Sequence, residues 1–189
     1  MPTAIRPNMQ SMQELQPTSS IRTYASTMSI RDIPLTTISG ATTTLAEHSD
    51  KVVLVVNVAS KCGLAPQYDT LEAMYQKYRD RGFVVLGFPS NQFFQEPGEG
   101  EALEEACRIN HGVTFPLFEK TKLNGKGAHP LYEELTKTPD ANGKAGKVKW
   151  NFEKFVLTPD DTVHRFRPTT VPDAPEIVAV IEGALAPTA

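Results

Sequence analysis

Two cysteines, Cys62 and Cys107, are the thiols of this 189-residue chain, and the first stands where a thiol can react. It lies in Asn57-Val58-Ala59-Ser60-Lys61-Cys62-Gly63-Leu64-Ala65-Pro66-Gln67-Tyr68. The apolar run ahead of it, Val52 to Val56, is β-branched enough to predict a buried central strand. Behind it Tyr68, Leu71, Met74, Tyr75 and Tyr78 recur three or four apart, which predicts a helix with Pro66 suited to its first turn. Cys62 therefore falls in the loop between a buried strand and a helix start. Free N–H groups of a first helical turn, with Lys61 beside them, favour a thiolate there. The competing reading is an inert thiol, since free cysteine is among the most buried residue types. We read Cys62 as a nucleophile.

Composition narrows the class without naming it. The length suits one domain with a tail and is enough to bury a core. A net charge of −3 with no basic stripe gives no sign of a nucleic-acid partner, and no apolar segment reaches the length of a membrane span. Two cysteines cannot staple a disulfide-rich secreted scaffold; such a pair is redox-active or simply buried.

The elements around Cys62 follow from pattern. Residues 1–28 are rich in Pro, Ser, Thr and Gln, with Arg6 and Arg22 and one acid, Glu14. They read as a disordered extension or a weak targeting segment, and Met28 is an alternative start. The folded domain is expected over residues 29–189. Ile30 to Leu45 predicts an N-terminal β-hairpin turning at Ser39-Gly40. Gly82 stops the helix after Cys62, and Phe83 to Phe88 reads as a parallel strand beside the first. A loop from Pro89 to Pro97 leads to a helix over Glu101 to Asn110, with Leu103, Ala106 and Cys107 on one face. Val113 to Phe118, broken by Pro116, suits a short edge strand. A short helix is expected around His129 to Thr136. Trp150 to Leu157 and Val163 to Arg167 predict a hairpin, and a helix from about Asp173 closes the chain. The fold class is α/β: a thioredoxin-like fold whose central mixed sheet is flanked by helices. No Cys-x-x-Cys occurs, which excludes dithiol exchange within one loop.

Four separated motifs carry a resemblance to a known family. Asn57-Val-Ala-Ser-Lys-Cys-Gly-Leu64, Gly87-Phe-Pro-Ser-Asn-Gln-Phe93, Gln95-Glu-Pro-Gly98 and Trp150-Asn-Phe-Glu-Lys-Phe155 resemble glutathione peroxidases of the cysteine type, over about Ser29 to Leu185. The resemblance implies a catalytic tetrad. Cys62 is its peroxidatic residue, where selenium enzymes carry selenocysteine, and Gln95, Trp150 and Asn151 surround it as hydrogen-bond donors. It also implies that Cys107 is the resolving cysteine of thioredoxin-dependent members, and that the short stretch between Leu131 and Trp150 leaves a monomer. Two departures stand out. Ser90 replaces a third cysteine found in many relatives, and the spacing from Phe93 to Gln95 is one residue short. The second leaves Gln92 or Asn91 as alternatives to Gln95.

The chemistry needs these types. A thiolate attacks a peroxide oxygen and becomes a sulfenic acid, while the leaving alkoxide is held by donors such as Gln, Asn and indole N–H. Neighbours in a regular strand face opposite ways, so for Trp150 and Asn151 to meet one sulfur either the backbone bends or Asn151 acts through a backbone contact. Cys107 also suits a core-filling role on its helix face. The expected function is reduction of hydrogen peroxide and organic hydroperoxides, with thioredoxin as reductant. The alternatives are glutathione, or a peroxide sensor relaying its disulfide to a partner protein. His111, His129 and His164 have no metal-ligand spacing with the cysteines, and neither metal nor cofactor is expected. The expected compartment is the cytoplasm, or the mitochondrion if residues 1–28 are a transit peptide.

Overall fold

The computed structural model describes residues 29–185, without the side chains at 101, 106 and 107. The expected N-terminal extension and its alternative start at Met28 lie outside the described residues.

The first strands, β1 (Pro34–Thr36) and β2 (Thr42–Thr44), pair antiparallel as the predicted hairpin, with Gly40 at φ 88° in its turn. The apolar run becomes β3 (Val52–Val58), in which all seven residues are buried. Helix α1 (Gln67–Tyr78) follows, and Gly82, at φ 89°, turns the chain into β4 (Phe83–Pro89), parallel to β3. Next come α2 (Gly100–His111), α3 (Pro130–Leu135), β5 (Lys154–Leu157), β6 (Val163–Phe166) and α4 (Pro175–Ala184). The sheet order is β4-β3-β5-β6, with β5 antiparallel to β3 and β6 antiparallel to β5. This mixed sheet is the expected thioredoxin-like arrangement.

Because side chains alternate across a strand, β3 feeds two cores. Val52, Leu54, Val56 and Val58 pack with Leu71, Met74 and Tyr78 of α1 and Ile177 and Ile181 of α4. Val53 and Val55 pack on the other face with Leu131, Tyr132 and Leu135 of α3 and with Leu35 of the hairpin. Truncating a fully buried member such as Leu54 to Ala costs about 2–5 kcal/mol, from lost transfer energy and the cavity left behind.

Two expected strands are shortened. The segment 113–118 makes only isolated bridges, Leu117 to Gly87 and Phe118 to Thr37, because Pro116 brings no N–H for a ladder. Its apolar side chains press so close that a Cβ on Gly87 would lie 2.7 Å from Leu117 Cδ2. The second correction matters for the site. The strand predicted from Trp150 begins only at Lys154, and residues 150–152 form a turn in which Phe152 has φ 63°.

Candidate active site

Cys62 sits past the C-terminal end of β3, in consecutive turns that fill the eight residues between Val58 and Gln67. This is the predicted loop between strand and helix, but the first-turn N–H groups of α1 are not the ones that meet the sulfur. The first-turn N–H groups of Gln67, Tyr68 and Asp69 already donate to the carbonyls of Leu64, Ala65 and Pro66. The N–H that reaches the sulfur is Leu64's, at 3.4 Å. Two further bonds tighten this turn: Cys62 N–H donates to Ala59 O and Ala65 N–H to Cys62 O. Cys62 is 5% exposed and belongs to the same core cluster as Ala59, Tyr68 and Phe152.

The loop after β4 is fastened to this turn. Lys61 N–H donates to Gln95 O at 3.0 Å. The buried Glu96 carboxylate accepts from Ser60 N–H at 2.6 Å and from Ser60 Oγ at 2.9 Å. Gln95 is thereby held one hydrogen bond from the residue preceding Cys62. Phe94, the single residue between Phe93 and Gln95, takes φ 58° and is 91% exposed. The alternatives to Gln95 face elsewhere: Gln92 Oε1 accepts from Leu123 and Asn124 N–H, and Asn91 Oδ1 accepts from Glu96 N–H.

Trp150 and Asn151 arrive through Asn57, a polar residue inside the apolar β3. Asn57 Nδ2 donates to Trp150 O at 3.1 Å, its Oδ1 accepts from Glu153 N–H at 3.1 Å, and its backbone O accepts from Phe152 N–H at 2.6 Å. Between the two alternatives left by the sequence, the backbone bends: the left-handed Phe152 ends the turn before β5 begins. Asn151 is fully buried, and its Nδ2 donates to Gln95 Oε1 at 2.8 Å. Its Oδ1 is buried with no partner among the described residues. Trp150 is 41% exposed, and its ring lies 5.0 Å from that of Phe93 on the loop that carries Gln95.

The structure thus joins Gln95 to Asn151 directly and Trp150 to the same loop through Phe93. Among the described residues, none of the three donates to Cys62 Sγ. Cys107 belongs to α2, and its side chain lies outside the described part. Three supports escaped the sequence reading: Asn57, Ser60 with Glu96, and Glu153. Buried Glu153 accepts from Arg165 Nε at 2.6 Å, Arg167 Nη1 at 2.7 Å and Lys149 N–H at 2.8 Å. The signal for Asn57 was present, since a lone amide in a continuous apolar strand must find buried partners.

Comparison with known proteins follows the same residues. The family description of glutathione peroxidases matches residues 30–136. A glutathione peroxidase homolog from Halalkalibacterium halodurans is 48% identical over 147 residues, which cover 77% of this chain and 93% of that protein. A thioredoxin/glutathione peroxidase from Escherichia coli is 43% identical over 170 residues, covering 79% and 93%. Among solved structures, Trgpx in its apo form superposes with a TM-score of 0.66 at 39% identity, over 84% of this chain and 99% of that one. Likeness of this depth, across both the Cys62 turn and the loop that meets it, places the chain in the glutathione peroxidase family.

Proposed function

We propose that the chain is a thiol peroxidase in which Cys62 is oxidised by the substrate and Cys107 resolves the product. The observation that carries this reading is a buried Cys62 thiol, fastened by the Lys61–Gln95 and Ser60–Glu96 bonds to a loop whose Gln95 is joined to Asn151. The Cys62 thiolate attacks one oxygen of ROOH, the O–O bond breaks, and the sulfur keeps that oxygen as a sulfenic acid. The other oxygen leaves as an alkoxide, or as hydroxide from hydrogen peroxide, and takes up a proton. Gln95, Asn151 and Trp150 hold the developing charge. Cys107 then attacks the Cys62 sulfur, releasing water and leaving a Cys62–Cys107 disulfide.

A dithiol protein of the thioredoxin type reduces that disulfide, because an internal disulfide is best returned by a second dithiol. Glutathione is the second reading, and the name of the Escherichia coli relative carries both reductants. The folded domain spans residues 29–189 and works as a monomer in the cytoplasm. No helix among the described residues is long and apolar enough to cross a membrane.

The test is steady-state consumption of peroxide coupled to NADPH. One arm supplies thioredoxin and its reductase, the other glutathione and its reductase, each with wild type, Cys62→Ser and Cys107→Ser. Activity with thioredoxin that is lost in both variants is the expected result. Full activity of Cys107→Ser with glutathione would make Cys107 a core residue and glutathione the reductant. A wild type inactive in both arms would favour the sensor.

A further inference from the structure

One buried group in this half of the molecule is not used by the chemistry above. Lys154 opens β5 and is fully buried. Its ammonium donates to three backbone carbonyls: Phe152 O at 2.6 Å, Thr170 O at 2.7 Å and Pro168 O at 3.3 Å. A buried ammonium is costly unless its donors are matched, and three carbonyls match its three N–H groups. Its neighbour Glu153 carries the charge that acts on it and is itself held by Arg165, Arg167 and Lys149 N–H. Burial pulls the Lys154 pKa down to about 7, against the opposing effect of Glu153.

The three carbonyls belong to stretches that matter. Phe152 is the left-handed residue that follows Asn151, and its peptide groups are gripped on both sides. Its N–H donates to Asn57 O, and its carbonyl accepts from Lys154. Pro168 O also accepts from Gln67 Nε2 at 2.9 Å, and Gln67 is the first residue of α1, just beyond the Cys62 turn. Lys154 therefore ties the turn bearing Trp150 and Asn151 to the element that follows Cys62. A planar guanidinium at this position would present its donors in a fixed fork rather than a tetrahedral set.

We propose that Lys154 is a positioning residue for peroxide reduction, its ammonium fixing the 150–152 turn so that Trp150 and Asn151 meet the Cys62 opening. The proposal rests on the role given above to those two residues, and the experiment separates the two ideas.

Pre-steady-state oxidation of Cys62 by hydrogen peroxide is measured beside its alkylation by iodoacetamide, in wild type, Lys154→Met and Asn151→Ala. Iodoacetamide needs the thiolate but no proton for its leaving iodide, so the ratio of the two rates isolates assistance to the peroxide oxygens. The expected result is a ratio lowered at least tenfold in both variants, with alkylation within twofold of wild type. A wild-type ratio in Lys154→Met alongside a lowered ratio in Asn151→Ala overturns the positioning role and leaves the tetrad standing. Unchanged ratios in both overturn the tetrad and this proposal together. If Lys154→Met does not fold, the same ratio is read in Lys154→Arg, whose planar fork cannot match the three carbonyls as the ammonium does. It is lowered at least threefold, and a wild-type ratio in Lys154→Arg overturns the proposal.

Discussion

Asn151 Nδ2 donates to Gln95 Oε1 at 2.8 Å across 56 residues of sequence, from a fully buried side chain to a half-buried one. The bond closes the gap between the loop after β4 and the turn before β5, and both of these strands flank β3, whose end leads to Cys62. It also fixes the Gln95 carboxamide with its oxygen occupied, so that its Nε2 is the end left to act as a donor.

That geometry predicts coupled rather than additive losses. Asn151→Ala and Gln95→Ala each lower the rate of Cys62 oxidation by about a hundredfold, the lower end of the range for removing one donor from a charge-stabilising set. Because each removes the other's partner, the double variant loses less than the product of the two, by a coupling of about 0.5–3 kcal/mol. Stopped-flow oxidation of all four proteins measures this. Strict additivity would mean that the 2.8 Å contact does not organise the site.

Much of the frame was legible because composition and period decide it. The β-branched run Val52 to Val56 reads as a buried central strand, and the 3.6-residue pattern of α1 marks its buried face. Cys62 was legible as a strand-end thiol. What was not legible is backbone geometry without a sequence signature. Phe94, Phe152 and Asp161 take positive φ although none is glycine, which is a few per cent occurrence for non-glycine residues. Hence the expected β5 is four residues longer than the observed one, and the two-sided demand on Trp150 and Asn151 stays open in the sequence. The loop around Cys62 is where the pattern puts it, but its N–H donor is not, since nothing in Gly63-Leu64-Ala65-Pro66 reveals that the first-turn N–H groups of α1 are already used.

Asn57 is expected to be worth more than its neighbours in β3. Its side chain supplies a donor to Trp150 O, part-buried, and an acceptor for Glu153 N–H, fully buried. Asn57→Val fills the strand but orphans both backbone groups, at about 1–3 kcal/mol for each. Urea unfolding should show a loss of roughly 2–6 kcal/mol on that basis, together with a fall in peroxide reactivity as the 150–152 turn loosens. Stability equal to wild type would show that this turn is held by other bonds.

Asp140 gives a pH signature to the loop that leads back to Trp150. The Lys144 N–H and then the Arg167 side chain hold its pKa down at about 2. A carboxyl lowered in the folded state stabilises above its unfolded pKa of about 4, and that stability is lost as pH falls through the folded value. Urea midpoints measured between pH 5 and 2 should therefore fall more steeply in wild type than in Asp140→Asn. Parallel curves for the two proteins would assign the acid sensitivity to other carboxylates.

The last prediction concerns how Cys107 could reach a sulfenic acid at Cys62. Helix α2 starts at Gly100, φ 53°, has no side-chain N-cap and ends at Gly112, φ 62°. Among its described side chains only Leu103 is buried. Its last residue, His111, stacks on buried Tyr68 with ring centroids 4.3 Å apart and planes at 16°. If α2 must loosen for the disulfide to form, this stack opposes the loosening. An aromatic pair of this kind is worth about 0.5–1.5 kcal/mol, so His111→Ala should raise the population of the loosened helix by about two- to tenfold. After a single addition of peroxide, disulfide formation should accelerate by the same factor, and limited proteolysis should cut within α2 more readily. Faster proteolysis with an unchanged disulfide rate would mean that helix opening does not limit resolution. If both were unchanged, the His111–Tyr68 stack would not restrain α2 at all.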